Sequence, residues 1–354
     1  MNNNDLGQLA LEKLVQLWQI SPERMVKTDQ GFDWWPGRFR VSIIVQPPKY
    51  PEDTGAWRIR ISTEFLREVR VEDPKVLGLL LELGKFAPTY SFVTPPPEVV
   101  EKYGIPTPGT VKMESTIYLR EDGAGWLPEF FGRLAILQPI DAERLADGYA
   151  QILGAQPWTS SPGKPEADDY RDELLGVAHA LYVPAGRDPS RWIGTNEFSD
   201  FAERFAKQDT CFGFGDPNGM TLETPFGEAS ALILCRTDVP HPDLGSGLLA
   251  TLQLPFGKSQ QETDNESMWF NYFESISWTN HPQLGGWHPR ALPSGDMASA
   301  HAMFFPNIMY REGIATNAAL WLLGRARWAR QTFWPDLEDL TMAEILERRF
   351  SSET

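Results

Sequence analysis

Cysteine, histidine and basic residues are scarce in this chain. It has two cysteines, Cys211 and Cys235, and five histidines in 354 residues. Two cysteines without CxxC spacing argue against a disulfide framework and a cysteine-based zinc site, and they suit a reducing compartment. Lys and Arg total 32 against 48 Asp and Glu, a formal net charge of -16. The resulting negative field disfavours nucleic acid and anionic membrane surfaces as partners.

Long apolar runs are also missing. The start, MNNNDLGQLA, has no basic region followed by an apolar stretch, and VLGLLLELG, among the strongest apolar runs, is far too short to cross a bilayer. We therefore expect a cytoplasmic protein. In contrast, 13 tryptophans and a hydrophobic content of 42% exclude a disordered chain, and the length suffices for two domains with real cores.

The sequence shows signs of an internal repeat with an offset of 191 residues, which places Arg38–Thr63 on Ala229–Leu254. Each segment reads as an apolar strand, a Pro-rich connection, a Gly turn and a second strand. The same offset relates Ile117–Glu121 to Ile308–Glu312. Two amphipathic segments can align by chance, but a nearly constant offset with matching turn residues favours a duplication.

Helix and strand signals give each copy the order αβββαββα. In the first copy, the three strands before the second helix are expected at Val26–Trp35, Phe39–Val45 and Trp57–Phe65, and that helix should begin after Asp73-Pro74. A later helix should be interrupted at Pro139. The pattern predicts an α+β fold of two similar αβββαββα units, with helices packed on antiparallel sheets and a pseudo-two-fold duplication.

The predicted ranges are residues 1–154 for the first unit, 155–190 for a linker with a docking segment at Leu174–Val183, and 191–354 for the second unit. The linker is rich in Pro, Gly, Ser and acidic residues, which bury too little apolar surface to fold alone. A further amphipathic helix is expected at Met342–Phe350.

Several short strings resemble a known family. They are EFFGRLAILQPIDAERLADGYAQILG, VPHPDLGSGLLATLQLP, FFPNIMYREG and LLGRARWAR. With the element order, they are similar to the type III secretion chaperone-like fold of YbjN-type domains, a group of peptide chaperones, over most of the chain. The resemblance implies a module that binds extended polypeptides or another molecule of itself, and it brings no catalytic motif.

The residues themselves provide no clear catalytic or metal constellation. His281 and His288 flank a Gly-rich turn, but zinc needs three or four converging ligands, so we expect a surface loop. Ser246 lacks the G-x-S-x-G context and is expected in a turn, as is the GFGDPNG stretch at Asp216–Gly219. Cys235 lies in an apolar strand, where packing explains it. We expect no catalytic residue, metal or cofactor.

The candidate partner-binding residues are aromatic and basic: Trp34, Trp35, Trp287, Arg325, Arg327 and Arg330. Neighbours on a strand point to opposite faces, so Trp34 and Trp35 cannot both enter one core. We hypothesise that Trp35 packs inward and Trp34 faces a partner, and the alternative is that the first helix covers Trp34. The arginines would dock an acidic segment, unless they form a solvated helix face.

These observations favour a non-enzymatic chaperone or adaptor that binds a polypeptide or self-associates, either as a monomer with an internal pseudo-dimer or as a homodimer. One alternative is a hydrolase or transferase with a site between the units, using His281 and His288. Another is an immunity or sensory protein that binds one partner. An enzyme should place His288 near a carboxylate in a deep pocket, whereas a binder should present an apolar groove or an unpaired sheet edge.

Overall fold

The computed structural model describes residues 6–48, 56–103, 109–161, 182, 188–207, 212–279, 281–337 and 344. Contacts divide the chain into two compact units. The first comprises Met1–Leu181 and Asn271–Gly286, and the second comprises Tyr182–Phe270 and Trp287–Thr354. Each contains helices and an antiparallel sheet, which confirms the α+β class. Among the described residues, no helix is long and apolar enough to cross a membrane.

The first unit is built on a seven-stranded sheet. Its elements in chain order are α1 (Leu6–Trp18), β1 (Met25–Thr28), β2 (Gly31–Trp34), β3 (Val41–Gln46), β4 (Trp57–Arg67), α2 (Pro74–Gly84), β5 (Ser91–Val93), α3 (Pro97–Tyr103), β6 (Val111–Leu119), α4 (Leu127–Ala135), α5 (Leu137–Leu153) and β7 (Gln156–Pro157). The strands are ordered β1-β2-β3-β4-β6-β5, and β7 pairs with the end of β4.

The second unit is built on a six-stranded sheet. Its elements in chain order are α6 (Glu197–Ala206), β8 (Phe212–Asp216), β9 (Gly219–Phe226), β10 (Ala229–Arg236), β11 (Gly247–Gln253), α7 (Gln260–Ile276), β12 (Gly286–Ala291), β13 (Met297–Pro306) and α8 (Ile314–Phe333). The part of α7 from Asn271 onward and Gly286 at the start of β12 belong to the first unit. The strand order, read from β8, is β8-β9-β10-β11-β13-β12. Strand for strand, this is the order of the first sheet from β1 to β5.

Local sequence signals explain several element boundaries. Asp73 caps α2 by accepting a hydrogen bond from the Lys75 amide at 2.9 Å, and Pro74 occupies the first turn, as predicted. The predicted helix break at Pro139 is wrong, because the helices part at Ile136 and Pro139 lies in the first turn of α5. Proline is tolerated there because the first amides of a helix have no carbonyl partner within it.

The predicted strand over Val26–Trp35 is also wrong, since it is a hairpin of two strands. Thr28 pairs with Gly31, which leaves Asp29 and Gln30 as a two-residue turn. Each half of the chain therefore has four strands before its second helix. The sequence missed the hairpin because this turn lacks the Asn-Gly or Asp-Gly pair that marks tight turns most clearly.

Burial shows that the predicted alignment of the two segments is wrong by one residue in β3. Ile43 and Val45 are among the buried positions there, and Ile233 and Cys235 are among those of β10, so these buried faces align at an offset of 190 rather than 191. A slip of one residue turns every side chain of a strand to the other face. The burial pattern shows which face of the strand points into the core, whereas an alignment of two apolar runs does not.

Parts of the predicted linker and terminus are not described. The stretch 162–181 and most of the expected C-terminal helix lie outside the described residues. Of the linker start, Gln156 and Pro157 form β7, so the sheet extends into the range read as linker. The predicted ranges of the two folding units stay a prediction.

Candidate functional site

Trp34 lies in the core of the first unit. It is on the same face of the sheet as Val41, with which it pairs, and it is 0% exposed. The indole of Trp18 on α1 stacks on it, with ring centroids 5.0 Å apart and planes 16° from parallel. Helix α1 therefore covers Trp34, and the hypothesis that Trp34 faces a partner is wrong.

Trp35 is buried by a different part of the first unit. It follows the end of β2, its amide donates to the Arg24 carbonyl at 3.0 Å, and it is 7% exposed. Its indole Nε1 donates to Ser160 Oγ at 3.1 Å. The two adjacent tryptophans are thus covered separately, one by α1 and one by the segment after β7.

The remaining partner-binding candidates do not form one surface. Trp287 is 2% exposed and packs 4.6 Å from the Phe270 ring, in the core of the second unit. Arg325 is fully buried on α8. On the same helix, Arg330 is half-buried and donates to the Leu337 carbonyl, whereas Arg327 is exposed. Of the six residues, Arg327 is the one with an exposed side chain.

The predicted surface loop around the histidines is wrong, since His281 and His288 are 1% and 9% exposed. In the first unit, His281 Nε2 lies 3.0 Å from Glu274 Oε1, and both side chains are buried. In the second unit, His288 Nδ1 lies 3.0 Å from the Pro289 carbonyl oxygen. Because both side chains of the Glu274–His281 pair are buried, the pair is better placed to stabilise the first unit than to contact a substrate.

A surface that the sequence analysis missed lies on edge strand β8 of the second sheet. Gly213 and Gly215 face helix α6, and their backbone packs tightly on it. A Cβ at Gly213 would lie 2.5 Å from the Ala202 carbonyl oxygen, and one at Gly215 would lie 2.6 Å from that of Phe198. Glycine is thus required at both positions for strand and helix to approach this closely.

The alternate residues of β8 point to the opposite face. Phe212 is 45% exposed and Phe214 is 57% exposed. Two large aromatic side chains are thus presented side by side on one face of an edge strand. Other exposed apolar residues, such as Ile152 on α5, stand singly, which is ordinary for a protein surface.

Strand pairing extends this apolar character across the sheet. Phe214 pairs with Thr221, which pairs with Leu234, which pairs with Thr251. The next row runs from Phe212 through Glu223 and Leu232 to Gln253. Leu232 and Leu234 are half-buried. We call the face formed by Phe212, Phe214, Leu232 and Leu234 the β8 face.

Polar residues lie within and beside the β8 face, and three of them, Asp216, Glu223 and Asp238, are acidic. Glu223 accepts a hydrogen bond from Ser230 Oγ at 2.6 Å. At the end of β8, Arg236 forms a bidentate pair with Asp238, with distances of 2.9 and 2.6 Å, and lies 3.8 Å from Asp216. The carboxylates hold the pKa of Arg236 above its ordinary value, and Arg236 holds the pKa of Asp238 below its own.

Strand β8 also presents an open edge. Among the described residues it pairs with β9 alone, so its other side directs backbone N–H and C=O groups away from the sheet. The matching edge strand β1 has the sequence MVKT and includes an exposed lysine, Lys27, a residue that protects sheet edges against further pairing. In β8, Asp216 at the strand end is the one charged residue.

The face of the first sheet that carries Asp33 and Ser42 differs from the β8 face. The row from Asp33 through Ser42, Ser62 and Glu114 to Ser91 is polar throughout. Ser42 Oγ donates to Asp33 at 2.6 Å, and Ser62 Oγ donates to Glu114 at 3.0 Å. Within this row Ser62, Glu114 and Ser91 are buried, so little of it is open to a partner. The β8 face is therefore the better candidate for binding a polypeptide.

The described residues show little chemistry for catalysis. No group of three or more His, Cys, Asp or Glu side chains among them could hold a metal ion. Burial raises the pKa of the Cys235 thiol to about 12, so it stays protonated and unreactive near neutral pH. This agrees with the expectation that Cys235 is explained by packing.

Comparisons with family models, with curated proteins and with solved structures found no match. The resemblance to type III secretion chaperone-like domains stays a prediction.

The signal for the β8 face was present in the sequence. The string FGFGD alternates phenylalanine and glycine with the period of a strand. The adjacent residues Asp216–Gly219 predict a turn, and the pairing of Asp216 with Gly219 confirms that turn. The pattern alone does not say which residues face the helix, because that depends on where α6 packs.

Proposed function

We propose that this chain is a non-enzymatic polypeptide-binding protein, a chaperone or adaptor, and that it binds its partner at the β8 face and the β8 edge. In this mode an extended segment adds to the sheet through backbone hydrogen bonds, while its alternate side chains contact the exposed rings. The low cysteine content favours a cytoplasmic setting, which belongs to the proposal.

The observation that carries the proposal is the pair Phe212 and Phe214 on β8, a strand that among the described residues pairs on one side only. A phenylalanine side chain offers roughly 150–250 Å² to a contact, and burial is worth about 25 cal/mol per Å². Covering the exposed half of each ring would therefore contribute about 2 kcal/mol. Aromatic side chains also dominate the residues that carry binding energy at protein interfaces.

The proposal includes an internal duplication that gave rise to two similar halves. Support comes from the shared strand order of the two sheets and from the shared burial pattern of β3 and β10. If the halves diverged from one peptide-binding module, the second kept an open apolar edge. The first acquired Lys27 on its edge strand and a polar, largely buried row instead.

A capture experiment with three baits tests the function. Wild-type protein, Phe214→Glu and Ile152→Glu would each be incubated with lysate of the native cells, and bound proteins would be quantified by mass spectrometry. Ile152 is the matched control, because it is also apolar and 57% exposed. We expect a partner that wild type and Ile152→Glu retain and Phe214→Glu loses. Equal capture by all three baits would contradict the proposal.

The alternative is a hydrolase or transferase that uses the histidines. The observation in its favour is the contact between His281 and Glu274, since a carboxylate beside imidazole can orient it as a base. Their burial argues against it. A screen with chromogenic ester, amide and phosphate substrates tests this alternative, and turnover that is lost in His281→Gln would favour it.

A further inference from the structure

We propose that the segment bound at β8 is extended and basic, with apolar residues at alternate positions and Lys or Arg beside them. This inference rests on the proposed function and specifies the chemistry of the partner.

The face sets the apolar alternation. Phe212 and Phe214 point to one side of the sheet, and Gly213 and Gly215 face α6 on the other. A strand that pairs with β8 places every second side chain on the side of the two rings, because side chains alternate along a strand. These positions would contact aromatic surface, which favours valine, isoleucine, leucine or an aromatic residue.

The charge around this face is negative. Three carboxylates, Asp216, Glu223 and Asp238, lie within or beside it, and Arg236 contacts both aspartates. Glu223 is on β9 and pairs with Phe212, so its carboxylate lies on the same side of the sheet as the two rings, one strand in from the β8 edge. With the chain at a net charge of -16, lysine or arginine in the partner would gain attraction at contact and during approach.

The competing occupant is β8 of another molecule of this chain. In-register antiparallel pairing of two β8 strands would place one Asp216 at each end of the paired strands. Each molecule also carries the same negative charge, so their mutual repulsion would weaken this pairing at low salt. Charge complementarity therefore favours a basic segment over a second molecule.

Two fluorescein-labelled synthetic peptides test the inference by fluorescence anisotropy. Both alternate valine and threonine, and one ends in lysines while the other ends in glutamates. At low salt we expect the lysine peptide to bind wild type about tenfold more tightly than the glutamate peptide, the effect of two or three exposed charge pairs. The ratio should shrink as salt is added, because salt screens exposed charges.

Two variants locate the effect. Glu223→Gln, which can still accept the hydrogen bond from Ser230, should reduce the preference for lysine. Phe214→Glu should weaken the binding of both peptides, whereas Ile152→Glu should change neither. Circular dichroism spectra would verify that each variant is folded.

The possible outcomes distinguish a failure of this inference from a failure of the proposed polypeptide-binding function. Equal binding of both peptides, weakened by Phe214→Glu, would overturn the basic preference and leave the polypeptide-binding function standing. Binding of neither peptide would overturn both. A dimer that forms in sedimentation experiments, strengthens with salt and is lost in Phe214→Glu would show that a second molecule occupies the edge, which would also overturn the inference.

Discussion

Replacing Trp34 with alanine should destabilise the first unit strongly and leave partner binding unchanged. The side chain is fully buried, and the Trp18 indole stacks on it at 5.0 Å. The substitution would open a cavity between α1 and the sheet and remove this stacking contact. Both effects act on the folded state alone, so they lower the free energy of unfolding.

The expected magnitude follows from burial. A tryptophan side chain buries roughly 150–250 Å², which at about 25 cal/mol per Å² corresponds to about 4–6 kcal/mol as an upper estimate. Buried Trp→Ala substitutions cost about 3–5 kcal/mol, and aromatic stacking contributes about 1 kcal/mol of such losses. We therefore expect Trp34→Ala to lower the free energy of unfolding by about 4 kcal/mol. This is a large share of the roughly 5–15 kcal/mol that stabilises a typical domain.

The assay is urea unfolding followed by far-UV circular dichroism, with Phe214→Ala as the control. Phe214 is 57% exposed, so its removal should change stability by no more than about 0.5 kcal/mol. Trp34→Ala should thus lower stability and leave binding unchanged, whereas Phe214→Ala should weaken binding and leave stability almost unchanged. A loss below about 1 kcal/mol for Trp34→Ala, together with lost partner binding, would refute the reasoning.

Three further predictions concern close packing and buried ionisable groups. Gly213→Ala should lower the thermal midpoint, because its Cβ would lie 2.5 Å from the Ala202 carbonyl oxygen; an unchanged midpoint would mean that α6 shifts freely. In a Cys211→Ser background, maleimide should label Cys235 only as fast as the protein unfolds. The reason is that a thiol of pKa about 12 is ionised in roughly one molecule in ten thousand at pH 8. Rapid labelling of the folded protein would contradict the burial of Cys235. Burial raises the pKa of Glu64 in the folded protein above its ordinary value in the unfolded chain. The contribution of Glu64 to stability is therefore fully present below the ordinary carboxyl pKa, and it is lost as the pH rises through the raised pKa of the folded state. The stability of wild type relative to Glu64→Gln, measured by urea unfolding, should fall over that pH window, and a constant or rising difference would contradict the shift.

Elements with strong local signals could be predicted from the sequence. The Asp73 cap followed by Pro74 identifies the start of α2, because each residue meets a specific need of the first helical turn. The turn at Asp216–Gly219 is equally local. Cys235 was assigned to a buried strand from its apolar neighbours, and it is 0% exposed.

Features that depend on tertiary packing could not be predicted. Whether Trp34 or Trp35 enters the core depends on which face of the sheet α1 covers, and the alternation of a strand leaves both choices open. The burial of His281 depends on its contact with Glu274, seven residues earlier, and no local pattern indicates that contact. Similarly, Phe214 is exposed because Gly213 and Gly215 pack β8 against α6 and the ring lies on the opposite side of the strand.

The measurement that tests the central claim most directly is site-specific photo-crosslinking at β8. A benzophenone amino acid would replace Phe214 in one protein and Ile152 in a second, both positions being 57% exposed, and each would be irradiated in the native cells. Mass spectrometry would then map the crosslinked residues. The account predicts adducts at Phe214, and not at Ile152, to one extended segment of another polypeptide. Adducts at Ile152 alone, or none at Phe214 above background, would contradict it.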